Sequence, residues 1–257
     1  MKFRIYLTPN DYGIPFNYAH QLCGVFHSWL GANELHDMMS LYSLGWLSGK
    51  ARLRPETPQE KRNGALYFGQ GARWDIGIYD DDIAERLMRG LLLKPFDFYG
   101  MGIRKVEKLE PPAEAFSQGT HRFLANSPIL LRRVEADYSR THITFKDDAA
   151  ESASILNRLI HKKADEAGFA PGRELRLQFD EDFRNPKTRL IDIKGIKNKA
   201  SVCPIIAKGP AEALEFLWMV GAGELTGVGF GSLDHTAPKP RRTPRPENEH
   251  AQSGNTR

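Results

Sequence analysis

The hydrophobic pattern of the first 110 residues predicts six elements in the order strand, helix, strand, strand, helix, strand. From Lys2 to Leu7 apolar and polar residues alternate, which is typical of a half-buried strand. Between Phe16 and Leu30 the apolar positions follow helical spacing, and Gly31 ends the run. Further strands are expected at 41–48, 74–79 and 97–108, and a helix at 81–93, capped by the aspartates at 80–82.

The second half of the chain repeats this order. The pattern predicts a strand or hairpin arm at 121–134, helices at 149–167 and 211–220, and strands at 174–180, within 188–206 and near 229–234. Two copies of one β-α-β-β-α-β order predict an α+β fold of tandem ferredoxin-like domains. RNA-recognition modules share this form, and their open sheet face binds single strands.

A polar stretch separates the two halves. Residues 110–119 begin with Glu-Pro-Pro and break both periodicities, so we expect domains at 1–110 and 120–234. The last domain ends in a glycine-rich loop and its final strand. Residues 235–257 contain four prolines and no aromatic residue, a composition that cannot build a core and predicts a disordered tail.

Composition narrows the class of protein. The chain has 257 residues, 40% of them hydrophobic, which suffices for one large core or two small ones and excludes a fibrous or wholly disordered protein. No apolar run approaches the roughly 18 residues of a membrane span, and the first residues lack a signal-peptide stretch, so we expect a soluble cytoplasmic protein. Cys23 and Cys203 stand far apart without a CxxC motif, which excludes a disulfide framework and a zinc ribbon.

Positive charge is concentrated in two runs. The formal net charge is +4, which says little alone. Residues 184–208, however, hold seven Lys or Arg against one acid, and residues 50–73 hold six against two. A single run of this kind is most simply a solvated surface. Two runs with glycine and aromatic residues between them favour a nucleic-acid partner.

Residues 221–231 contain five glycines, at positions 221, 223, 227, 229 and 231. Repeated glycines beside a basic surface can form a concavity rich in backbone N–H groups that binds phosphates. A structural turn remains the alternative. The spacing does not fit the dinucleotide-binding GxGxxG pattern, and Gly49-Lys50 lacks the rest of a Walker loop.

Three segments together resemble a known family. They are the glycine string, the segment Leu190 to Lys197 followed by Cys203-Pro-Ile-Ile, and Arg122 to Ile129. This combination is similar to the Cas-six family of CRISPR-associated endoribonucleases in the RAMP superfamily. The resemblance implies tandem ferredoxin-like domains and cleavage of precursor CRISPR RNA within its repeats, without metal or cofactor. Its expected products are a 5′-hydroxyl and a 2′,3′-cyclic phosphate.

Cleavage of RNA by its own 2′-hydroxyl requires a base, an acid and a donor to the charged phosphorane, and histidine suits the first two roles. The resemblance places the catalytic role on His36, in Leu-His-Asp between the first helix and second strand, with His27 as its partner or alternative. Some relatives carry a lysine shortly after this histidine, which is absent here. The charge stabiliser is therefore left open among Tyr42, Lys50 and Arg52. His20, seven residues before His27, lacks the further ligands of a zinc site.

The predicted RNA-binding surface combines the basic runs with the glycine loop. Its residues are Lys50, Arg52, Lys187, Arg189, Lys194, Lys197, Lys199, Gly221, Gly223, Gly227, Gly229 and Gly231. CRISPR repeat RNA is the expected partner, and effector-complex subunits or a second copy of the chain are left open. The first alternative is a RAMP-type subunit that holds guide RNA without cutting it. The second, a generic RNA-recognition protein, lacks its aromatic RNP1-like motif on a central strand.

Overall fold

The computed structural model describes residues 1–31, 39–55, 57–117 and 119–235. The strands are β1 (Lys2–Leu7), β2 (Tyr42–Leu44), β3 (Arg52–Leu53), β4 (Leu66–Tyr67), β5 (Arg73–Ile78), β6 (Ile103–Leu109), β7 (Thr120–Ala125), β8 (Leu131–Val134), β9 (Arg140–Ile143), β10 (Arg176–Phe179), β11 (Lys187–Ile193), β12 (Ile196–Val202), β13 (Ile205–Lys208) and β14 (Leu233–His235). The helices are α1 (Ala19–Leu30), α2 (Pro58–Asn63), α3 (Asp81–Leu93), α4 (Ala113–Phe116), α5 (Ala149–Glu166) and α6 (Ala211–Val220).

The first sheet has the order β2-β5-β1-β6, and every pairing is antiparallel. Its strands therefore lie in the order second, third, first, fourth, which is the ferredoxin-like arrangement. Helices α1 and α3 pack together, and Gly90 permits their approach, since a Cβ at this position would lie 2.3 Å from the carbonyl oxygen of Trp29. We call this half the first unit.

The second sheet has the order β10-β13-β7-β14 and repeats the same arrangement with α5 and α6. The paired strands β11 and β12 form a separate two-stranded hairpin, and β8 pairs with β9. Asp148 caps α5 by accepting a hydrogen bond from the backbone N–H of Glu151 at 2.8 Å, as short polar side chains do at helix starts. This half is the second unit, and the prediction of tandem ferredoxin-like domains is confirmed.

Each unit has its own core. The first core contains buried residues from Phe3 to Met101, and the second contains buried residues from Phe116 to Leu233. A small third core of Leu130, Ile191, Ala200 and Phe230 joins the β11–β12 hairpin to the glycine-rich loop. The domain limits at 110 and 120 stay predictions. β14 includes His235, and the rest of the predicted tail lies outside the described residues.

Charged side chains of β1 join the first sheet to α6 and β14 of the second unit. Lys2 is fully buried, and its ammonium donates to the carbonyl oxygens of Trp218, at 3.0 Å, and Leu233. Arg4 donates two hydrogen bonds to Asp75, at 2.8 and 2.7 Å, and lies 3.4 Å from Asp234. Burial lowers the pKa of Lys2 to about 8, and the two carboxylates oppose this shift. The first residues of one unit are therefore bound to the last residues of the other.

Most predicted elements are confirmed, and α3 and α6 have the predicted bounds. The strand predicted at 41–48 is too long, because β2 ends at Leu44 and the backbone at Gly45 instead passes close to Asp75 and Asn126. The strand predicted at 97–108 is likewise shortened to β6. The short elements β3, α2, β4, β9 and α4 were not predicted, since two to six residues carry little periodicity.

Among the described residues, no helix has both the length and the apolar character that crossing a membrane requires.

Candidate functional site

The glycine-rich loop, residues 221–231, lies between the two units. It leaves α6, turns through a short 3-10 helix at 226–228 and leads into β14. Three hydrogen bonds tie it to the first unit. Trp46 donates to the carbonyl oxygen of Gly229 at 2.8 Å, the Cys23 thiol donates to that of Gly227 at 3.2 Å, and the Thr226 hydroxyl donates to that of Tyr42 at 2.8 Å. The loop therefore lies against α1, β2 and Trp46 of the first unit.

The loop glycines are buried and closely packed. Gly231 has φ +60°, and a Cβ there would lie 1.8 Å from the carbonyl oxygen of Ala222. A Cβ at Gly227 would lie 2.7 Å from the ring of Tyr42 and one at Gly223 2.6 Å from the carbonyl oxygen of Leu130. Glycine is required here for close approach and, at Gly223 and Gly231, also for positive φ.

These contacts correct one prediction about the loop. Its N–H groups were expected to be open to phosphates, but those of Gly221 and Gly231 donate to the carbonyl oxygens of Leu217 and Pro128, at 2.9 and 2.8 Å. Burial at all five glycines, including Gly223, Gly227 and Gly229, favours the alternative of a structural turn. Their predicted contact with RNA stays a prediction.

A buried lysine supports the loop from the second unit. Lys163 on α5 donates to the carbonyl oxygen of Val220 and to the hydroxyl of Thr226, both at 2.8 Å. Desolvation by burial lowers the pKa of Lys163 to about 7. The Thr226 hydroxyl in turn donates to the carbonyl oxygen of Tyr42, so the Thr226 side chain links Lys163 to the first unit.

We call the region where the glycine-rich loop packs against Cys23, Tyr42 and Trp46 of the first unit the joint. His27 and Tyr42 meet there. His27 lies on the last turns of α1 and is half-buried, and its Nε2 lies 3.5 Å from the hydroxyl oxygen of Tyr42. Tyr42 stacks on Phe26 with ring centroids 5.0 Å apart. Burial raises the pKa of Tyr42 to about 12, with a hydrogen bond to Ser40 opposing the shift. The Tyr42 hydroxyl is thus protonated at neutral pH and has a proton available for a hydrogen bond.

The other histidines of this region are placed differently. His36 lies outside the described residues. His20 is on α1, seven residues before His27, and its Nδ1 lies 3.1 Å from the carbonyl oxygen of Asn17. Across the described parts of the chain, no group of three or more His, Cys, Asp or Glu side chains is arranged to hold a metal ion.

Lys50 and Arg52 lie on the first unit, on the loop and short strand that follow Trp46. Both are exposed and line a groove together with Arg54, Tyr67, Gly69 and Gln70. A neighbouring apolar groove, lined by Trp46 and Leu53, also contains Arg189 of the hairpin. The structure thus brings part of each predicted basic run to one side of the joint.

The β11–β12 hairpin divides its cations between two faces. In its register, Arg189 pairs with Ala200 and Leu190 pairs with Lys199. Because alternate residues of a strand face opposite sides, Lys187 and Arg189 lie on one face, and Lys197 and Lys199 on the other. Lys199 forms an ion pair with Asp147 at 3.1 Å. The expectation of one continuous surface is therefore wrong for these residues.

The tip of this hairpin is a two-residue turn. Lys194 and Gly195 have φ +51° and +85°, which is the pattern of a type I′ hairpin turn. This backbone presents the exposed Lys194 at the end of the hairpin, beyond both faces.

Sequence reasoning missed several residues of the joint. Trp46 was assigned only to a strand, and Thr226 was given no role. Lys163 gave a signal, since it falls within the apolar stripe of α5 with Leu156 and Ile160. A charged residue on a buried helix face indicates a specific partner, because an unpaired buried charge is costly.

Comparisons with known proteins agree with this architecture. Residues 109–235 match the family model described as CRISPR associated protein Cas6, C-terminal. No match was found among curated proteins.

Three solved structures have similar folds. The product of a Cas6-related gene from Pyrococcus furiosus has a TM-score of 0.73 and 19% identity, over 93% of this chain and 99% of that chain. A CRISPR associated protein Cas6 has a TM-score of 0.71 and 17% identity, over 92% and 99%. A RAMP protein binding different RNA substrates has a TM-score of 0.71 and 16% identity, over 92% and 100%. At these identities the likeness concerns the fold. Together with the family match over the second unit and the glycine-rich loop, it places this chain in the Cas6 family of CRISPR-associated proteins.

Proposed function

We propose that this protein is an endoribonuclease that cleaves precursor CRISPR RNA within its repeats. Cas6 family membership supports involvement in CRISPR RNA processing. The observation that carries the finer proposal is the pairing of His27 with Tyr42 at the joint between the units, beside the glycine-rich loop. An imidazole and a protonated phenol at one place supply the groups that transesterification of RNA needs.

In the proposed reaction a 2′-oxygen attacks the adjacent phosphorus as its proton passes to a base. The bond from phosphorus to the 5′-oxygen then breaks, and that oxygen takes up a proton, which leaves a 2′,3′-cyclic phosphate and a 5′-hydroxyl. His36 and His27 are the candidates for base and acid. Tyr42 is the candidate donor to the charged phosphorane, with Lys50 and Arg52 as alternatives. No step in this scheme consumes a cofactor.

One observation favours the alternative of a RAMP-type subunit that binds RNA without cutting it. Tyr42 is only 3% exposed and stacks on Phe26, so its hydroxyl also fits a purely structural role. Such a subunit would hold repeat RNA through the same basic residues and would leave it intact.

A cleavage assay with mapped ends tests the proposal. Purified protein is incubated with repeat RNA in EDTA, and the fragment ends are identified. We expect one cut per repeat, with a 2′,3′-cyclic phosphate on one fragment and a 5′-hydroxyl on the other. RNA that is bound but uncut would favour the alternative, and cleavage that requires added Mg²⁺ would contradict the metal-independent scheme.

A further inference from the structure

A second groove lies in the other unit, on the far side of the glycine-rich loop from Lys50 and Arg52. It has a volume of about 830 Å³ and runs between α5, the β8–β9 pair and the loop. Its polar lining includes Arg132, Arg140, Arg158, Lys162, Glu166 and Glu224. None of the basic residues of this groove belongs to the runs at 50–73 and 184–208.

The groove carries unpaired positive charge. Arg132 is held by Glu224, to which its Nε donates at 2.9 Å. Arg140, Arg158 and Lys162 are exposed, and in the described parts of the chain none of the three has a hydrogen bond or an ion pair. Arg158 and Lys162 stand four residues apart, one turn along the same face of α5. These three cations, two on α5 and one on β9, form a surface for a ligand with several negative charges.

One end of the groove reaches the candidate site. Ser40 and Thr226 both line it. The Thr226 hydroxyl donates to the carbonyl oxygen of Tyr42, and Ser40 forms a hydrogen bond with the Tyr42 side chain. One end of the groove is thus bounded by two residues that bond to Tyr42, and a chain molecule that follows the groove is led toward the His27–Tyr42 pair.

The lining also has apolar surface suited to nucleotides. Val134 is 52% exposed and Leu225 is 37% exposed, and both border the cations. A strand of RNA presents both a row of phosphates and the apolar faces of bases and sugars, and single-stranded RNA is bound through both. The groove is large and open, so a single small anion would engage only part of it.

We propose that this groove binds the RNA backbone on one side of the scissile phosphate, through Arg140, Arg158 and Lys162. This inference rests on the proposed function and extends it. The substrate crosses the His27–Tyr42 pair between two cationic surfaces, with the Lys50 and Arg52 groove on the other side. Each surface then fixes one flank of the cut.

A charge-matched pair of variants tests this inference. The groove variant carries Arg140→Ala, Arg158→Ala and Lys162→Ala. The control variant carries Arg89→Ala, Arg104→Ala and Lys108→Ala, which removes three exposed cations from α3 and β6, away from the groove. Both proteins lose the same net charge, so a difference between them reports the position of the charges.

Binding is measured by fluorescence anisotropy over a range of salt, with repeat RNA that is 2′-deoxy at the mapped cut. Each phosphate contact to a single strand contributes about −0.7 to the log–log salt slope, so we expect the groove variant to flatten the slope by about 2 and the control to leave it unchanged. A truncated RNA that lacks the flank in the groove should bind wild type and groove variant equally.

The outcomes separate this inference from the proposed function. Equal binding by the groove and control variants, with cleavage by wild type intact, overturns the groove assignment alone. Weaker RNA binding by the groove variant, in a protein that never cuts, supports the groove and contradicts the nuclease. If no cut can be mapped, the binding assay uses unmodified repeat RNA. Failure of the wild-type protein to bind repeat RNA contradicts both the groove assignment and the nuclease. Preference of the groove for an acidic peptide over RNA would also overturn it.

Discussion

The two units use the same part of their topology in different ways. In both, a connection with left-handed residues leads from the second helix of the unit to its last strand. In the first unit this connection turns back on its own unit, and the carbonyl oxygen of Tyr99 accepts a hydrogen bond from the N–H of Asp11 at 3.0 Å. In the second unit the equivalent connection is the glycine-rich loop, which reaches across to Trp46 and Tyr42. The fold alone does not determine which connection forms the joint.

The comparison also separates the chemistry of the two units. The first unit supplies the His27–Tyr42 pair from α1 and β2, and the second unit supplies the loop that packs against them and most of the cations. We infer that catalysis depends on the side chains of the first unit, and that RNA binding depends on both. The following predictions test this division, from the largest effect to the smallest.

The largest effect is expected for the histidines of the first unit. General acid–base catalysis contributes about 10² to 10⁴-fold, so His36→Ala or His27→Ala should slow single-turnover cleavage by that order and change repeat affinity only a few-fold. His20→Ala on the same helix is the control and should cleave at the wild-type rate. If neither His36→Ala nor His27→Ala slows cleavage, histidine catalysis is wrong, and positioning of the 2′-hydroxyl becomes the better account.

The next effect concerns the loop itself. Gly231→Ala introduces a Cβ 1.8 Å from a backbone oxygen at positive φ, whereas Gly195→Ala has positive φ but no atom within 4 Å of the added Cβ. The left-handed conformation alone costs about 1–2 kcal/mol. Gly195→Ala should lose about that much unfolding free energy, and Gly231→Ala clearly more, as measured by urea denaturation. Equal losses would show that the loop is not tightly packed.

A smaller effect should distinguish the two faces of the β11–β12 hairpin. Arg189 shares a groove with Trp46 on the Lys50 side of the joint, and Lys199 is already paired with Asp147. Lys187→Ala with Arg189→Ala should therefore flatten the salt slope of RNA binding by about 1.4, which is twice 0.7. Lys197→Ala with Lys199→Ala should flatten it less. The reverse ranking would place the RNA on the opposite face.

The effect that is smallest per unit of the variable changed is a pH dependence of stability. Burial lowers the pKa of Lys163 from 10.5 to about 7. Between pH 7 and pH 10.5, therefore, this amine is protonated in the unfolded chain and neutral in the folded one. The stability of the wild type should rise with pH over this range, by at most about 1.4 kcal/mol per pH unit from this group. Lys163→Met should remove that part of the slope in urea titrations at several pH values. Its exposed neighbour provides the control, and a Lys162→Met variant that loses the same slope would contradict the assignment.

The sequence predicted most of the fold because its longer elements have clear periodicity. The alternation from Lys2 to Leu7 and the helical spacing in α3 and α6 are local signals, and each was sufficient to place an element. The repeated order of elements then indicated the topology.

The candidate site was less accessible to sequence reasoning. His27 and Tyr42 were proposed as candidates, but their contact depends on how α1 packs on the sheet, which no local pattern contains. The glycines were predicted to bind phosphate because their spacing shows only that the backbone is unusual there. Their close packing between the two units is a tertiary feature that the spacing does not contain. The free cations of the second groove are scattered between positions 140 and 162, so they form no run along the chain.

The bonds of Lys2 have a consequence for how the chain folds during synthesis. The carbonyl oxygen of Leu233, which Lys2 binds, belongs to a residue 231 positions further along. At about 5–20 residues per second, a ribosome needs on the order of ten to fifty seconds to add that stretch. Through this interval the nascent first unit carries a lysine whose final partners have not yet been made. Its amine must stay hydrated on an open face of the first sheet, and that face is covered only when α6 and β14 arrive.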